Sequence, residues 1–299
     1  MNNKQEETLS LVIDGNYLMF QSFFATQKNY GGELLRSSKG VPTNAITTFI
    51  SQLVKLVSFF KPSKLFIAFD AKEKTSRHLQ YSEYKSGRSK APEELFIQFD
   101  LIKQILGKLE IQFLQISGYE ADDLIAAYCS KIPGLKLIFS RDKDLLQLVN
   151  NDVAVIEKNS VGYQLIDNHN FFEKFGFYPY QVVSFKGLKG DSSDNLPGVK
   201  GIGDIIAKKL LAKFDNFEGI YQNIESKEIT EAIRKKLIAG KEEGYMSYNL
   251  AQLISDVPGF DANPLLYTLT INFPQAEELL DELELNTNKR LLKSLWQQL

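Results

Sequence analysis

Residues 9–14 read LSLVID, a short and mostly apolar run that ends in an aspartate. Residues 65–70, LFIAFD, repeat the pattern, and residues 135–139, LKLIF, form a third run that leads into Asp142. Near-continuous apolar runs of this length predict strands that are buried on both faces. Such strands are typical of parallel sheets, so these three runs decide the fold class.

Segments with a helical pattern lie between and after these runs. Helices are predicted over residues 43–60, 92–109 and 119–131, and the first two begin with Thr43 and Pro92, which are typical helix starts. Alternating strands and helices predict an α/β fold, in which helices cover both faces of a twisted parallel sheet. Beyond about residue 168 the pattern is mostly helical. Further helices are predicted at about 179–189, 203–213, 228–239, 242–254 and 274–284.

The composition bounds the class of protein. The chain has 299 residues, 43% of them hydrophobic, which is enough for one large core or two smaller ones. Its single cysteine excludes an internal disulfide and a cysteine-based zinc site, and favours a reducing compartment. The start, MNNKQEETLS, is too polar for a signal peptide, and no apolar run approaches the roughly 20 residues that span a bilayer. We therefore expect a cytoplasmic globular protein that does not associate with a membrane.

The charges nearly balance, with 35 Lys and Arg residues against 37 Asp and Glu residues. This balance excludes a uniformly basic nucleic-acid binder but not a locally basic surface. The only histidines are His78 and His169, so a zinc site with three histidines cannot be built. The carboxylates are therefore the abundant reactive side chains, and their positions matter most.

Carboxylates follow several of the predicted strands and begin one helix. In an open parallel sheet, ligands bind beyond the carboxyl ends of the strands. Any one of these acids is explained equally well as a loop residue, a solvated turn or a helix cap. Together they would repel one another, and divalent cations with oxygen ligands, Mg²⁺ above all, would relieve that repulsion. Nine such acids come from five segments: Asp14, Asp70, Glu120, Asp122, Asp123, Asp142, Asp144, Asp191 and Asp194.

A locally basic segment follows the second strand. Residues 72–90 contain six Lys or Arg residues and two Glu residues, which gives a net charge of 6 − 2 = +4, with Tyr81 and Tyr84 interleaved. Positive groups attract phosphates and aromatic rings stack on bases, as proteins that bind single strands require. Taken alone, an ordinary solvated loop explains the segment equally well. Its place directly after Asp70 favours a nucleic-acid contact.

Residues 197–207, PGVKGIGDIIA, predict a tight turn that opens a helix. Gly201 and Gly203 would let backbone N–H groups approach a phosphate, and several lysines follow them. Such a helical hairpin binds a duplex backbone without reading its sequence. A purely structural turn between two helices is the alternative. A dinucleotide site is disfavoured, because no buried strand directly precedes the glycines.

In combination, these segments resemble the 5′-nuclease superfamily, which includes the 5′→3′ exonuclease domain of bacterial DNA polymerase I and the flap endonucleases. The resembling segments run in family order from about residue 9 to residue 211. They are LVIDGNYLMFQSFFA, KGVPTNAITTFI, FIAFDAKEKTSRHLQYSEYKSGR, GYEADDLIAA, SRDKDLLQLV and GDSSDNLPGVKGIGDIIAKKLL. Because no polymerase segment follows, we expect a free-standing nuclease, although a piece cut from a longer protein would look similar.

The resemblance implies a PIN-like α/β core over residues 1–167, with an arch at about residues 72–95. A helical DNA-binding part over residues 168–299 would contain a helix-hairpin-helix-like motif at about residues 190–213. The chain departs from the family pattern at Phe20-Gln21, where the family commonly has Tyr-Arg, and at Arg141, where a small residue is usual.

The resemblance also implies the roles of individual residues. Asp14, Asp70, Glu120 and Asp122 match the first metal cluster and are the expected catalytic acids. Asp142, Asp144, Asp191 and Asp194 match the second cluster, with Asp122 near both and Asp123 adjoining. Arg77 and Lys85 match catalytic basic residues that hold the scissile phosphate. The expected DNA-binding residues are Tyr84, which would stack near the terminal base, and Arg88, Gly198, Lys200, Gly201, Gly203, Lys208 and Lys209.

The implied activity is a structure-selective 5′→3′ exonuclease and flap endonuclease that uses two Mg²⁺ ions, for which Mn²⁺ can substitute. A K⁺ ion would sit at the hairpin motif. The expected substrates are DNA with a free 5′ single strand, flaps, nicks or gaps, and RNA primers annealed to DNA, in replication and repair. We expect a monomer that works with a separate DNA polymerase.

Two other functions compete with this one. A non-catalytic protein of the same fold would bind DNA structures without cutting them, although the complete set of acids argues against it. A small-molecule phosphohydrolase could use the acidic sheet edge, but the basic aromatic segment and the glycine hairpin suit a polymer better.

Overall fold

The computed structural model describes residues 8–29, 33–87 and 91–299. By their contacts, the described residues fall into two compact units. Unit 1 is drawn from Met1–Ala71, Lys90–Arg141 and Ser255–Leu299, and unit 2 from Lys72–Ser89 and Asp142–Ile254. Both units are therefore discontinuous along the chain. The predicted boundary near residue 167 divides the chain into two continuous segments, and it stays a prediction.

Unit 1 contains four parallel strands in the order β3-β2-β1-β4. Three of them, β1, β2 and β4, are the apolar runs of the sequence, and the residues of β2 are all buried. Burial on both faces explains why these strands lack the alternation of apolar and polar residues seen in half-exposed strands. The bounds are β1 Leu9–Asp14, β2 Lys64–Ala68, β3 Phe113–Leu114 and β4 Leu135–Phe139.

Helices pack on this sheet and on one another. The helices of unit 1 are α1 Gly15–Asn29, α2 Asn44–Phe60, α4 Glu93–Lys108, α5 Ala121–Lys131, α12 Phe273–Glu282 and α13 Asn286–Trp296. Helix α5 packs against β1 and β2, where the ring of Tyr128 stacks on Phe66 with their centroids 4.9 Å apart. The Tyr128 hydroxyl donates a hydrogen bond to the Ser10 hydroxyl in β1 at 3.0 Å. These contacts fix the start of α5 relative to the ends of the two strands.

Unit 2 is mainly helical and also contains an antiparallel strand pair. Its core is formed by apolar side chains of α7, α8, α9 and α10 and of the turn before α8. The elements are α3 Ser76–Gln80, β5 Val153–Lys158, β6 Tyr163–Ile166, α6 Phe171–Phe175, α7 Val182–Lys189, α8 Asp204–Phe214, α9 Phe217–Gln222, α10 Glu231–Ala239 and α11 Lys241–Leu250.

The predicted α/β class and most predicted elements are confirmed, with ends that shift by a few residues. The segment predicted as a helix at about 179–189 is a short 3₁₀ turn, Pro179–Gln181, followed by α7. The β5–β6 pair was not predicted, because β6 is short and its two central residues, Gln164 and Leu165, are exposed. No helix in the described part of the chain is long and apolar enough to cross a membrane.

Candidate active site

The first group of acids lies at the carboxyl end of the parallel strands of unit 1. Strand β1 ends at Asp14, which lies opposite Ala68, the last residue of β2. Asp70 follows two residues later, so the chain delivers both aspartates to the same edge. This is the edge at which ligands bind in open parallel sheets.

Neutral donors hold these two aspartates. Asp14 is 5% exposed and accepts hydrogen bonds from the Ser140 hydroxyl at 2.7 Å and from the backbone N–H of Tyr17 at 2.8 Å. Asp70 Oδ2 accepts a hydrogen bond from the Asn16 side-chain amide at 2.7 Å, while the Asp70 N–H donates to Asn16 Oδ1 at 3.0 Å. Asn16 thus fixes Asp70 from a position two residues beyond Asp14.

The start of helix α5 joins this group. The backbone N–H of Ala121 donates to Asp70 Oδ1 at 2.8 Å. Glu120 and Asp123 form a reciprocal capping box, in which Asp123 accepts from the Glu120 N–H at 3.2 Å. Asp122 lies in the first turn of α5 and is 7% exposed. The positive end of the helix dipole favours carboxylates here, so a cap alone would account for Asp123 but not for the whole set.

The second group of acids belongs to unit 2, and a lysine lies within it. Asp142 accepts a hydrogen bond from the N–H of Asp144 at 2.8 Å, which shapes the turn at the start of a 3₁₀ helix. The ammonium group of Lys186, in α7, contacts the carboxylate of Asp144 and lies 2.6 Å from Asp191 Oδ2. Lys186 and Asp144 are each only 8% exposed, and Asp191 is 16% exposed. The sequence prediction had not included Lys186.

The electrostatics of Asp191 follow from this contact. Burial raises its pKa, but the Lys186 ammonium and hydrogen bonds from Ser193 outweigh burial and lower the pKa to about 2. The N–H of Ser193 donates to Asp191 Oδ1 at 2.9 Å. Asp191 is therefore ionised at neutral pH and firmly held in its loop.

Asp194 lies against the predicted arch, within unit 2. It is 2% exposed and accepts a hydrogen bond from the Tyr84 hydroxyl at 3.2 Å. The ammonium of Lys85 lies 4.0 Å from Asp194 and 4.9 Å from the centroid of the Tyr84 ring. Lys85 has a positive φ of 57°, and its N–H donates to the Asp194 carbonyl. Tyr84, predicted to stack on a base, is buried against Leu196 in this structure.

Arg77 is also buried, at 4% exposure. Its guanidinium donates to the carbonyl of Leu250 at 3.0 Å, at the end of α11, and to the carbonyl of Gln252 at 2.6 Å. Carbonyls at the end of a helix have no partner inside the helix, so Arg77 satisfies them in place of water. Arg88, predicted to bind DNA, lies outside the described residues.

The predicted hairpin is a turn between α7 and α8. Gly198 has φ +61°, and a Cβ there would lie 2.1 Å from the N atom of Gly190, so this glycine is required by packing. Gly203 caps α8 and has open space where a Cβ would point. Gly201 has φ +83°, and its carbonyl accepts a hydrogen bond from Lys236 at 3.1 Å.

The lysines around this turn differ in their surroundings. Lys200 and Lys209 are exposed. Lys208 forms an ion pair with Asp204 at 2.8 Å within α8, and this pairing lowers the pKa of Asp204. The exposed face of the turn therefore presents positive charge next to the start of a helix.

The two groups of acids differ as candidate metal sites. In the part of the chain that the structure describes, no three His, Cys, Asp or Glu side chains are arranged closely enough to hold an ion. The carboxylate oxygens at the sheet edge of unit 1 nevertheless have the chemistry that hard divalent cations require. In unit 2 the Lys186 ammonium already lies between two of the four acids.

Sequence reasoning missed Lys186, Asn16 and Ser140. The two neutral residues gave no chemical signal, although Asn16 stands next but one to Asp14. Lys186 gave a weak signal in the sequence, because it lies two residues before the buried Leu188 in a helix with a largely buried face. A lysine in such a position requires an acidic partner.

Comparisons with known proteins agree with this architecture. Residues 9–176 match the family model described as 5′-3′ exonuclease, N-terminal resolvase-like domain. Residues 177–270 match the model described as 5′-3′ exonuclease, C-terminal SAM fold. The two models together span both the parallel strands and the helical hairpin.

The 5′-3′ exonuclease of Aquifex aeolicus is 37% identical over 287 residues, which cover 95% of this chain and 94% of that protein. DNA polymerase I of Caldicellulosiruptor bescii is 35% identical, but the chain spans only 33% of that protein's length. Among solved structures, a bacteriophage T5 flap endonuclease in a pseudo-enzyme-product complex with DNA and metal ions superposes with a TM-score of 0.63. It is 19% identical and is covered over 99% of its chain and 97% of this one, which shows a shared fold.

Proposed function

Because the chain belongs to the 5′-3′ exonuclease family, we propose that it hydrolyses DNA phosphodiesters from the 5′ side as a metal-dependent, structure-selective exonuclease and flap endonuclease. The observation that carries this proposal is the convergence of acids in unit 1. Asp14, Asp70 and the start of α5 lie at one sheet edge, linked by Asn16 and the Ala121 N–H.

Asp14, Asp70, Glu120 and Asp122 would hold the first Mg²⁺, with Asp123 behind them. Asp142, Asp144, Asp191 and Asp194 would hold the second, and Mn²⁺ would substitute at either. Such ions lower the pKa of a bound water and stabilise the leaving oxygen of a phosphodiester.

The residues of the chain position these groups. Ser140 and the Tyr17 N–H orient Asp14, and Asn16 and the Ala121 N–H orient Asp70. Carboxylates that are held in this way need little reorganisation when they meet an ion.

Lys85 is the basic residue that we favour for stabilising charge on the phosphoryl oxygens, because its ammonium lies beside Asp194. Arg77, predicted for the same role, would first have to leave the carbonyls of Leu250 and Gln252. We propose that Tyr84 reaches a terminal base only after a comparable release from its buried position.

The turn before α8 would bind the backbone of duplex DNA. Lys200 and Lys209 are exposed beside it, and the N–H groups at the start of α8 follow Gly203. This arrangement suits phosphate contacts without base recognition. A K⁺ ion held near the turn would add to that grip.

The substrates that fit are DNA with a free 5′ single strand, flaps, nicks and gaps, and RNA primers annealed to DNA. We further propose that the protein is a cytoplasmic monomer that removes primers and damaged strands ahead of a separate DNA polymerase. The similarity to DNA polymerase I of Caldicellulosiruptor bescii supports a role beside DNA synthesis.

The test uses a 5′-flap DNA and a nicked duplex, each labelled at the 3′ end of the strand to be cut. Wild-type protein should yield products at the junction of single strand and duplex with Mg²⁺ and none with EDTA. Asp122→Ala should lose this activity, because it removes a buried acid of unit 1. Asp100→Ala is the matched control, since Asp100 lies on the surface of α4 in the same unit and is 56% exposed.

Two results would contradict the proposal. Full cleavage by a clean preparation of Asp122→Ala would show that the reaction does not depend on the acids of unit 1. Tight, salt-sensitive binding of the flap without any product would identify a non-catalytic DNA-binding protein instead.

A further inference from the structure

We propose that Lys186 is a built-in counter-ion of the acids in unit 2, and that a divalent ion binds there only by displacing its ammonium group. This inference rests on the proposed function, because it assumes that these acids are metal ligands. Its starting point is one contact: the Lys186 ammonium touches the carboxylate of Asp144 and lies 2.6 Å from Asp191 Oδ2.

Burial makes this contact a strong one. Lys186 and Asp144 are 8% exposed, and Asp191 is 16% exposed, so water screens the three charges poorly. A lysine is almost never buried unless it is paired, and two buried carboxylates would repel each other without a cation. The lysine and the two acids therefore stabilise each other when no metal is bound.

The backbone holds the lysine in place. Lys186 lies within α7, and its carbonyl accepts the N–H of Gly190 at 2.8 Å, one residue before Asp191. The N–H and carbonyl of Asp191 both pair with Leu196, and Ser193 donates to its side chain. These bonds fix the backbone of Lys186 relative to that of Asp191 and orient the Asp191 carboxylate, which keeps the ammonium group within reach of it.

An ammonium and a divalent ion compete for the same oxygens. Hard cations bind carboxylate oxygens directly, and a positive charge at the same point would oppose their entry. We therefore expect the acids around Lys186 to form a weak class of ion site, distinct from the site proposed in unit 1.

The experiment measures Mn²⁺ binding without DNA, by the EPR signal of the unbound ion. Wild-type protein should bind one class of Mn²⁺ ions tightly and a second class weakly. Asp191→Asn should remove only the weak class. Lys186→Met, which keeps an unbranched apolar side chain and removes the ammonium group, should strengthen the weak class by on the order of tenfold or more. Lys186→Arg keeps the charge and should leave the class weak.

Lys189→Met is the matched control. Lys189 lies three residues further along α7, is 44% exposed and pairs with Asp204 at 3.6 Å rather than with Asp144 or Asp191. Its replacement should change neither class. If Lys186→Met unfolds without metal, its melting temperature is measured against Mn²⁺ concentration, and Mn²⁺ should raise it more than it raises that of wild-type protein.

The outcomes separate this inference from the proposed function. If Lys186→Met binds the weak class of Mn²⁺ no more tightly than wild-type protein does, the role of Lys186 is overturned while the proposed function stands. The same holds if neither protein shows a weak class. A second class that appears only in Lys186→Met would support it strongly. Failure of wild-type protein to bind Mn²⁺ at all would contradict both proposals.

Discussion

The two groups of acids solve the same electrostatic problem in different ways. In unit 1, Asp14 and Asp70 accept hydrogen bonds from a hydroxyl, a side-chain amide and backbone N–H groups. In unit 2, Asp144 and Asp191 share a buried ammonium group. Neutral donors orient a carboxylate without cancelling its charge, whereas a lysine cancels it. An ion that binds between Asp144 and Asp191 must therefore displace a charge of its own sign.

The largest expected difference between the two groups is in catalysis. Asp70→Asn should lower cleavage of a 5′ flap by about a thousandfold or more, because an ion worth several kcal/mol of transition-state stabilisation loses a charged ligand. Asp191→Asn should lower it less, by on the order of tenfold to a hundredfold, since Asp144 and two further acids remain. Rates under single-turnover conditions provide the measurement. An equal or larger loss in Asp191→Asn would reverse the ranking of the two groups.

A second difference concerns the integrity of unit 1. Cys129 lies in α5, the helix that begins beside Asp70, and burial raises the pKa of its thiol from 9.0 to about 12. A thiol whose pKa is raised contains little thiolate at neutral pH, so the folded protein should react more slowly with an aromatic disulfide reagent than a free thiol does. Reaction at the rate of a free thiol in native buffer would show that α5 opens readily. The same assay then reports whether variants in unit 2 disturb unit 1.

A third, smaller effect is expected on the stability of the protein and arises at the hairpin of unit 2. Gly198→Ala places a Cβ 2.1 Å from the N atom of Gly190 at a residue with φ +61°. We expect it to lower the free energy of unfolding by about 2–3 kcal/mol. Gly203→Ala is the control, because a Cβ there meets nothing within 4 Å. Denaturant unfolding compares the two, and equal stability of both variants would contradict the packing role of Gly198.

The smallest effect is expected on DNA affinity. Lys200 and Lys209 are exposed, so the double change to Ala should lower the slope of log affinity against log salt by up to about 0.9 per lost phosphate contact. Lys235→Ala serves as control, because Lys235 is 75% exposed on α10 and pairs with Glu231. A salt slope that is the same in the double variant and in wild-type protein would exclude the turn before α8 from the duplex contact.

The parts of the fold that depend on periodicity could be predicted from the sequence. Strands β1, β2 and β4 are buried on both faces, and that burial leaves continuous apolar runs. The β5–β6 pair escaped prediction because the exposed residues of β6 break such a run. Local pattern thus revealed three strands of the parallel sheet, but it missed an antiparallel pair in which the first four residues of β5 are buried and the centre of β6 is exposed.

The candidate site was predictable in its acids but not in their partners. Asp14, Asp70 and Asp122 could be predicted because they lie at or just after strand ends, or in the first turn of α5. Several of the donors that hold Asp14 and Asp70 come from distant segments: Ser140 is 126 residues from Asp14, and the Ala121 N–H is 51 residues from Asp70. Lys186 likewise contacts Asp144, which is distant from it in the sequence. Such pairings arise only when the chain folds, and no spacing rule in a single sequence encodes them.

The most direct test of the account is the position of the first bound metal ion. Crystals of the wild-type protein are soaked in Mn²⁺ at increasing concentration, and anomalous scattering locates the ion. We expect the first peak at the acids of unit 1, beside Asp14, Asp70 and Asp122, while Lys186 still contacts Asp191. A first peak between Asp144 and Asp191, or no peak in unit 1 at any concentration, would contradict it.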